Sequence, residues 1–209
     1  MSASDRIIGL YDEHAAEWDQ RRSRALHEKR WLDYFLALVP AGGSILDIGC
    51  GTGDPIARYV IERGYRVTGI DSSPTLIALA LERFPQQQWS VADMRALDLG
   101  RRFDGLIAWH SFFHLSPADQ RPMFARFRAH AKPGAPLMFT SGPEAGEAIG
   151  EWQGEPLYHG SLDPSDYRRL LDENGFAVAE HAVRDPECGE ATIWLARQIS
   201  PASGLEGSA

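Results

Sequence analysis

The chain has 209 residues, 44% hydrophobic and 24% charged, and its 21 lysines and arginines against 29 aspartates and glutamates leave a net charge of −8. Those proportions exclude a disordered chain and suit one folded domain with modest extensions, while the negative charge disfavours a general affinity for phosphate backbones or anionic membranes. Cys50 and Cys188 are too few for a disulfide scaffold or a four-cysteine zinc site, and with no secretory pattern at Met1–Arg6 and no apolar run near the roughly 20 residues that span a bilayer, a soluble, cytoplasmic protein is expected.

Residues 5–22 are expected to form a helix, because Ile7, Tyr11, Ala15 and Trp18 recur at three- and four-residue spacing. A second helix, at about 24–39, presents Trp31, Phe35 and Leu38 and ends before Pro40 and Gly42-Gly43. From there the pattern alternates. Ser44–Ile48 reads as a strand, followed by a glycine-rich turn and a helix opened by Asp54-Pro55, an aspartate cap with proline in the first turn. Tyr65–Ile70 is a second strand, and Ser73-Pro74 opens a helix that runs to about Phe84. Trp89–Val91 and Phe103–Trp109 are strands, 117–131 is a helix, and Pro136–Thr140 is a strand after the Lys132-Pro133-Gly134 turn. Such alternation implies a parallel sheet with helical crossovers. The end of the chain differs: 176–183 and 191–196 are joined by a connection too short for a crossover, so they must pair as an antiparallel hairpin at one edge. The expectation is an α/β fold with a mixed seven-stranded sheet and two extra N-terminal helices. Residues 200–209 are small and polar and read as a disordered tail.

The most specific local signal is Ile45-Leu46-Asp47-Ile48-Gly49-Cys50-Gly51-Thr52-Gly53. Glycines after a buried strand let the backbone approach a ligand, and the following helix adds a positive N-terminal end. A dinucleotide fingerprint would place its third glycine where Asp54 stands, and an aspartate there would repel a diphosphate. A P-loop fails as well, since no Gly-Lys-Ser/Thr follows. The Asp47-x-Gly49-x-Gly51-x-Gly53 pattern resembles the cofactor loop of class I S-adenosylmethionine-dependent methyltransferases of the small-molecule type. Asp71, about 20 residues beyond the glycines, and Asp93-Met94, after the third strand, also fall where that family has its landmarks.

The resemblance covers about residues 5–199 and implies one Rossmann-like domain over 1–199. Within it, 1–40 would be a helical cap or lid, 41–140 the cofactor-binding core, 141–162 an acceptor-side lid, and 163–199 a helix plus the antiparallel hairpin. The implied cofactor is S-adenosyl-L-methionine, with S-adenosyl-L-homocysteine as product. Asp47 and the amides of Gly49, Cys50, Gly51 and Gly53 would hold its methionine end, Asp71 its ribose, and Asp93 with Met94 its adenine, with Ser72 and Trp109 also at the cofactor. Two plainer readings stand beside these. The glycines could form a tight turn with no ligand, and Asp71 could cap the helix after Pro74. Cys50 would contribute a backbone amide or pack as a small hydrophobe.

The segment Tyr11–Asp19 resembles the N-terminal lid helix of small-molecule methyltransferases. Tyr11, Trp18 and Arg22 share a face, towards the cofactor on that reading or as a plain core stripe on the other. Arg21, Arg22, Arg24, Lys29 and Arg30, interspersed with Asp19 and Glu28, read as a solvated face. Ligands of open α/β sheets gather at the carboxyl ends of strands, which brings Trp109–Leu115 towards the reacting groups. His110 and His114 are the candidate catalytic residues there, since a neutral imidazole can take an acceptor proton. Their spacing suits a metal pair, but no third ligand accompanies them and no metal is expected.

Phe113, with Trp152, Tyr158 and His159 from the unpatterned 144–161 segment, is expected to contact the acceptor, because connections of that length often act as lids. No Asn-Pro-Pro-aromatic motif follows the fourth strand and no nucleic-acid module is appended. The partner is therefore expected to be a small-molecule methyl acceptor, with no nucleic acid and no membrane. The expected activity is methyl transfer by in-line displacement. A non-catalytic protein that senses the cofactor and a nicotinamide-dependent reductase are the alternatives.

Overall fold

The structure is a computed structural model that describes Ser4 and residues 6–199, so the expected tail at 200–209 lies outside the described residues. Three helices precede the sheet: α1 (Arg6–Glu13), α2 (Ala15–Arg21) and α3 (Lys29–Ala37). The single helix expected over 5–22 is broken at His14, where φ is −107° and ψ 17°. The two halves follow different partners. Tyr11 reaches His114, whereas Asp19 is drawn to Thr52 and Arg83. The second helix begins at Lys29 and not at 24, because residues 22–28 form a link from which Arg24 reaches Asp54.

The alternating segment provides β1 (Ser44–Ile48), α4 (Ile56–Glu62), β2 (Arg66–Asp71), α5 (Pro74–Arg83), β3 (Gln88–Val91), β4 (Gly105–Ala108), α6 (Pro117–His130) and β5 (Pro136–Ser141). Ser73 caps α5 by accepting the Leu76 amide, with Pro74 in the first turn. Asp54 does not cap α4 as expected. Its carboxylate is taken by the Arg58 guanidinium, one turn further on.

Beyond β5 the chain forms β6 (Gly146–Trp152), β7 (Glu155–Ser161), α7 (Pro164–Glu173), β8 (Phe176–Asp185) and β9 (Ala191–Gln198). The segment read as an unpatterned lid is thus an antiparallel hairpin, β6 paired with β7. Gln153 and Gly154 join the strands with φ of 58° and 81°, the left-handed pair that a two-residue hairpin turn requires. β6 is exposed from Gly146 to Glu151, so it carries no apolar alternation by which to recognise a strand.

The main sheet has seven strands in the order β3-β2-β1-β4-β5-β9-β8. β1 to β5 run parallel, and β9 pairs antiparallel with both β5 and β8. Successive residues of the inner strands serve opposite faces, as period-two geometry demands. Leu46, Leu106, Phe139 and Trp194 pack with Phe112, Phe124 and Tyr167 on one face. Ile45, Ile107, Met138 and Ile193 pack with Trp31, Phe35 and Val60 on the other. Both faces being covered explains why these strands read as continuous apolar runs. Strand order reverses between β1 and β4, and the carboxyl ends there open the crevice in which such sheets take their ligands. Among the described residues no helix is long and apolar enough to cross a membrane.

Candidate functional site

The crevice is a cleft with roughly 980 Å³ between its walls, partly open to solvent. Its floor is the turn after β1. Gly49, Gly51 and Gly53 all have positive φ, at 74°, 55° and 76°. A Cβ on Gly49 would lie 2.3 Å from Ser111 Cβ, and one on Gly51 would lie 2.8 Å from the Trp18 ring. Only glycine fits these positions, for conformation and for space. The expected role of the loop amides needs correction. Gly49 and Cys50 both donate to the Ile70 carbonyl, Gly51 donates to Asp71 Oδ2 at 2.9 Å, and Gly53 donates to the Cys50 carbonyl. The left-handed turns aim these N–H groups at β2 and at the loop itself, so they hold the floor in shape and do not point at a ligand.

Three carboxylates expected at the site line the cleft, in three different states. Asp47, at the end of β1, is buried and makes no hydrogen bond or ion pair among the described residues. Burial pushes its pKa up to about 7, with Arg22 opposing the rise and Asp71 adding to it. Asp71 accepts Gly51 N–H on one oxygen and Ser73 N–H, at 3.0 Å, on the other. Burial raises its pKa, against the pull of those backbone bonds. Ser73 is the helix cap, so Asp71 instead joins the glycine turn to the start of α5, with lone pairs to spare. Asp93 accepts the Arg95 amide at 2.8 Å and is ion-paired with the Arg95 guanidinium.

Ser72, Met94 and Trp109 also line the cleft. So does Cys50, whose thiol burial holds well above its usual range, which makes it a packing group and not a nucleophile.

The N-terminal helices form the roof, and Tyr11, Trp18 and Arg22 all line it. The Arg22 guanidinium lies 4.9 Å from the Trp18 ring centre and donates to the Asp54 carbonyl. Behind this roof is a clamp that the sequence did not reveal. Buried Asp19 is ion-paired with Arg83 and Arg24 and accepts the Thr52 hydroxyl at 3.0 Å, while Arg24 and Arg58 meet on Asp54. Arg24 stays exposed and also bridges the roof to the glycine loop. Its partner Asp54 is far away in sequence, and the only hint was an aspartate set among arginines.

The two histidines differ. His114 Nδ1 donates to the Tyr158 carbonyl at 2.8 Å, which leaves Nε2 to accept the Tyr11 hydroxyl at 3.0 Å. Burial lowers the His114 pKa to about 4, with the Tyr158 bond opposing and His159 and His110 adding. Burial likewise pushes Tyr11 up to about 12. His110 sits at a φ of 50°, donates its amide to Thr140 Oγ1 at 2.9 Å and keeps an exposed ring between Trp109 and Phe113. The walls around that ring, then Arg22 and His159, bring its pKa to about 4. Both imidazoles are neutral at pH 7.

The four expected acceptor contacts scatter. Phe113 lines a neighbouring cavity together with His110. Trp152 stacks on Tyr11, and His159 packs on Phe113 and His114. The Tyr158 side chain is buried against Ile7 and Leu10, so only its carbonyl serves the site. No three or more described histidines, cysteines or carboxylates are grouped to hold a metal ion.

Residues 45–134, which carry the glycine turn, Asp71 and Asp93, match the methyltransferase-domain family. Over that stretch the chain is similar to methyltransferase domains. It is 28% identical over 166 residues to an O-methyltransferase of Pyrenophora dematioidea, a match that covers 73% of this chain and 61% of that one. It is 34% identical over 96 residues to a dTDP-3-amino-3,6-dideoxy-alpha-D-glucopyranose N,N-dimethyltransferase of Streptomyces fradiae, covering 45% and 37%. The chain thus spans less than two thirds of the length of these relatives. CalS10, an amino pentose methyltransferase of Micromonospora echinaspora solved with S-adenosylmethionine bound, shares the fold. The TM-score is 0.68 at 19% identity, over 89% of this chain and 96% of that one.

Proposed function

We propose that the cleft binds S-adenosyl-L-methionine and that the protein transfers its methyl group to a small molecule. The observation that carries this reading is Asp47, a buried carboxylate that lines the cleft with no hydrogen-bond or ion-pair partner among the described residues. Leaving such a group unpaired costs free energy, so the site is built for a cation. Arg22 stands close enough to depress the Asp47 pKa, so the pair suits a ligand end that bears both an ammonium and a carboxylate. The spare lone pairs of Asp71 suit the two ribose hydroxyls, with Ser72 beside them. Met94 offers an apolar face to the adenine, next to Asp93. Trp18 and Tyr11 close the roof over the glycine turn, and Trp109 also lines the cleft.

When bound, the cofactor supplies an electrophilic methyl group on a sulfonium, and the displacement leaves the carbon–sulfur electron pair on sulfur as S-adenosyl-L-homocysteine. The chain's own contribution is to position two reactants and keep water out, which for well-oriented pairs is worth roughly 7–11 kcal/mol. His110 is the open imidazole at the rim, and in its neutral form it takes the acceptor's proton. His114 holds the Tyr11 hydroxyl in place, since its own Nε2 is already occupied.

The amino-sugar methyltransferase among the relatives supports a small acceptor. The test is to supply methyl-labelled S-adenosylmethionine with a panel of small hydroxyl- and amine-bearing metabolites. Label passing to at least one of them is the expected result. Cofactor binding with no transfer to any of them would favour the sensing protein instead.

A further inference from the structure

Beside the cofactor cleft lies a second, open cavity with roughly 740 Å³ between its walls, set between the end of β5 and the β8–β9 connection. His110 lines both spaces, so they meet at that residue. Among the described residues, four that are not glycine hold a left-handed φ: His110, Gln153, Arg184 and Glu190, at 50°, 58°, 51° and 60°. Gln153 makes the β6–β7 turn. The other three all line this cavity. Such conformations are costly, persist only where the surroundings impose them, and gather at binding sites.

Here the surroundings do impose them. The His110 amide donates to Thr140 Oγ1, the Arg184 amide to Thr192 Oγ1, and the Glu190 amide to the Asp185 carbonyl. Asp185 is in turn fixed by the Trp31 indole at 2.7 Å, so the connection is anchored to α3. A register shift between Ala182 and Asp185 places Arg184 in a bulge, the device by which a strand re-aims a side chain.

The charges complete the case. Arg184 and Glu190 are of opposite sign and border one cavity, yet neither side chain makes an ion pair or hydrogen bond among the described residues. A singly charged ligand would satisfy one and be repelled by the other. A ligand with both signs satisfies both. We propose that this cavity is the acceptor pocket and that it takes a zwitterion, an amino acid or a close relative. Arg184 holds its carboxylate and Glu190 its ammonium, while Phe113 walls its apolar stem. The inference rests on the reading of the cleft as the methyl-donor site, since it turns the far end of the acceptor towards His110 and the donor beyond.

The test is calorimetry on the full chain saturated with S-adenosylhomocysteine, titrated with free α-amino acids that carry side-chain hydroxyl, amine or thiol groups. Each is run beside its N-acetyl derivative and its carboxamide. At least one free amino acid should bind, and acetylation or amidation should each weaken it tenfold or more. Arg184→Gln and Glu190→Gln should each do the same, while affinity for S-adenosylhomocysteine stays within twofold. No binding by any free amino acid at millimolar concentration, or binding indifferent to the derivatives or to either substitution, overturns the proposal. Failure of S-adenosylhomocysteine itself to bind is a different result and defeats the reading of the cleft.

Discussion

In the cofactor cleft the left-handed backbone positions are glycines, Gly49, Gly51 and Gly53, and their amides are spent on β2 and on the loop itself. Around the second cavity such positions belong to His110, Arg184 and Glu190, and the two charged side chains there make no hydrogen bond or ion pair among the described residues. The first region is a rigid mould that fits one shape, and any side chain would spoil it. The second holds functional side chains in costly conformations, which ties its specificity to this particular chain. Their matches to other proteins divide in the same way: the family match spans 45–134, which includes the glycine turn and His110 but neither Arg184 nor Glu190.

The largest expected effect falls where the two regions meet. His110→Ala should slow methyl transfer by about 10²–10⁴-fold, the usual loss of a general base, and leave cofactor affinity nearly unchanged. Single-turnover rates and cofactor titration on the same preparation separate these quantities. Wild-type turnover in the variant would leave proton removal to solvent.

The mould should fail differently. Gly49→Ala must place a methyl 2.3 Å from Ser111 Cβ, whose hydroxyl is tied to the Ile48 carbonyl, so neither side yields easily. A loss of about 1–3 kcal/mol in stability is expected, with weakened cofactor binding, from thermal melts and calorimetry. The same substitution at Gly154, in the exposed hairpin turn, meets no atom within 4 Å and should cost only its backbone strain. Equal costs at the two sites would erase the contrast.

A smaller effect tests the unpaired carboxylate. With its pKa raised to about 7, Asp47 contributes stability that is fully present below its unfolded value near 3.8 and is lost as pH rises through 7. Asp47→Asn should therefore stabilise the ligand-free protein at pH 8 relative to wild type, by about 2–4 °C in Tm for each kcal/mol relieved. The difference should shrink towards pH 4. The same variant should bind the cofactor less well, a trade of stability against function that a merely structural aspartate would not show.

Much of the inner sheet was legible because Ile45 and Leu46, or Leu106 and Ile107, are apolar on both faces, the mark of strands covered on either side. The glycine spacing was legible because steric exclusion admits only one residue type, and Asp71 because it stands about 20 residues beyond the glycines, where the resemblance has a landmark. What the sequence hid depended on distant partners. The break at His14 follows from α1 and α2 docking on different elements, and Asp19 is meaningful only once Arg83 is beside it. The β6–β7 hairpin was invisible because β6 lies open to solvent and needs no alternation. Arg184 and Glu190 belong to no sequence motif, and only the bulge and the anchored connection bring them to one cavity with His110.

The most direct test of the cofactor assignment is a calorimetric titration of S-adenosylhomocysteine and of NADH into the wild-type protein and its Asp71→Ala variant. The geometry of the glycine turn and its carboxylates predicts that the wild-type protein binds S-adenosylhomocysteine and ignores NADH. It also predicts that the variant stays folded and binds more weakly by about 1.5–3 kcal/mol, the scale of a lost charged hydrogen-bond acceptor. Preference for NADH, or unchanged affinity in a folded variant, would contradict it.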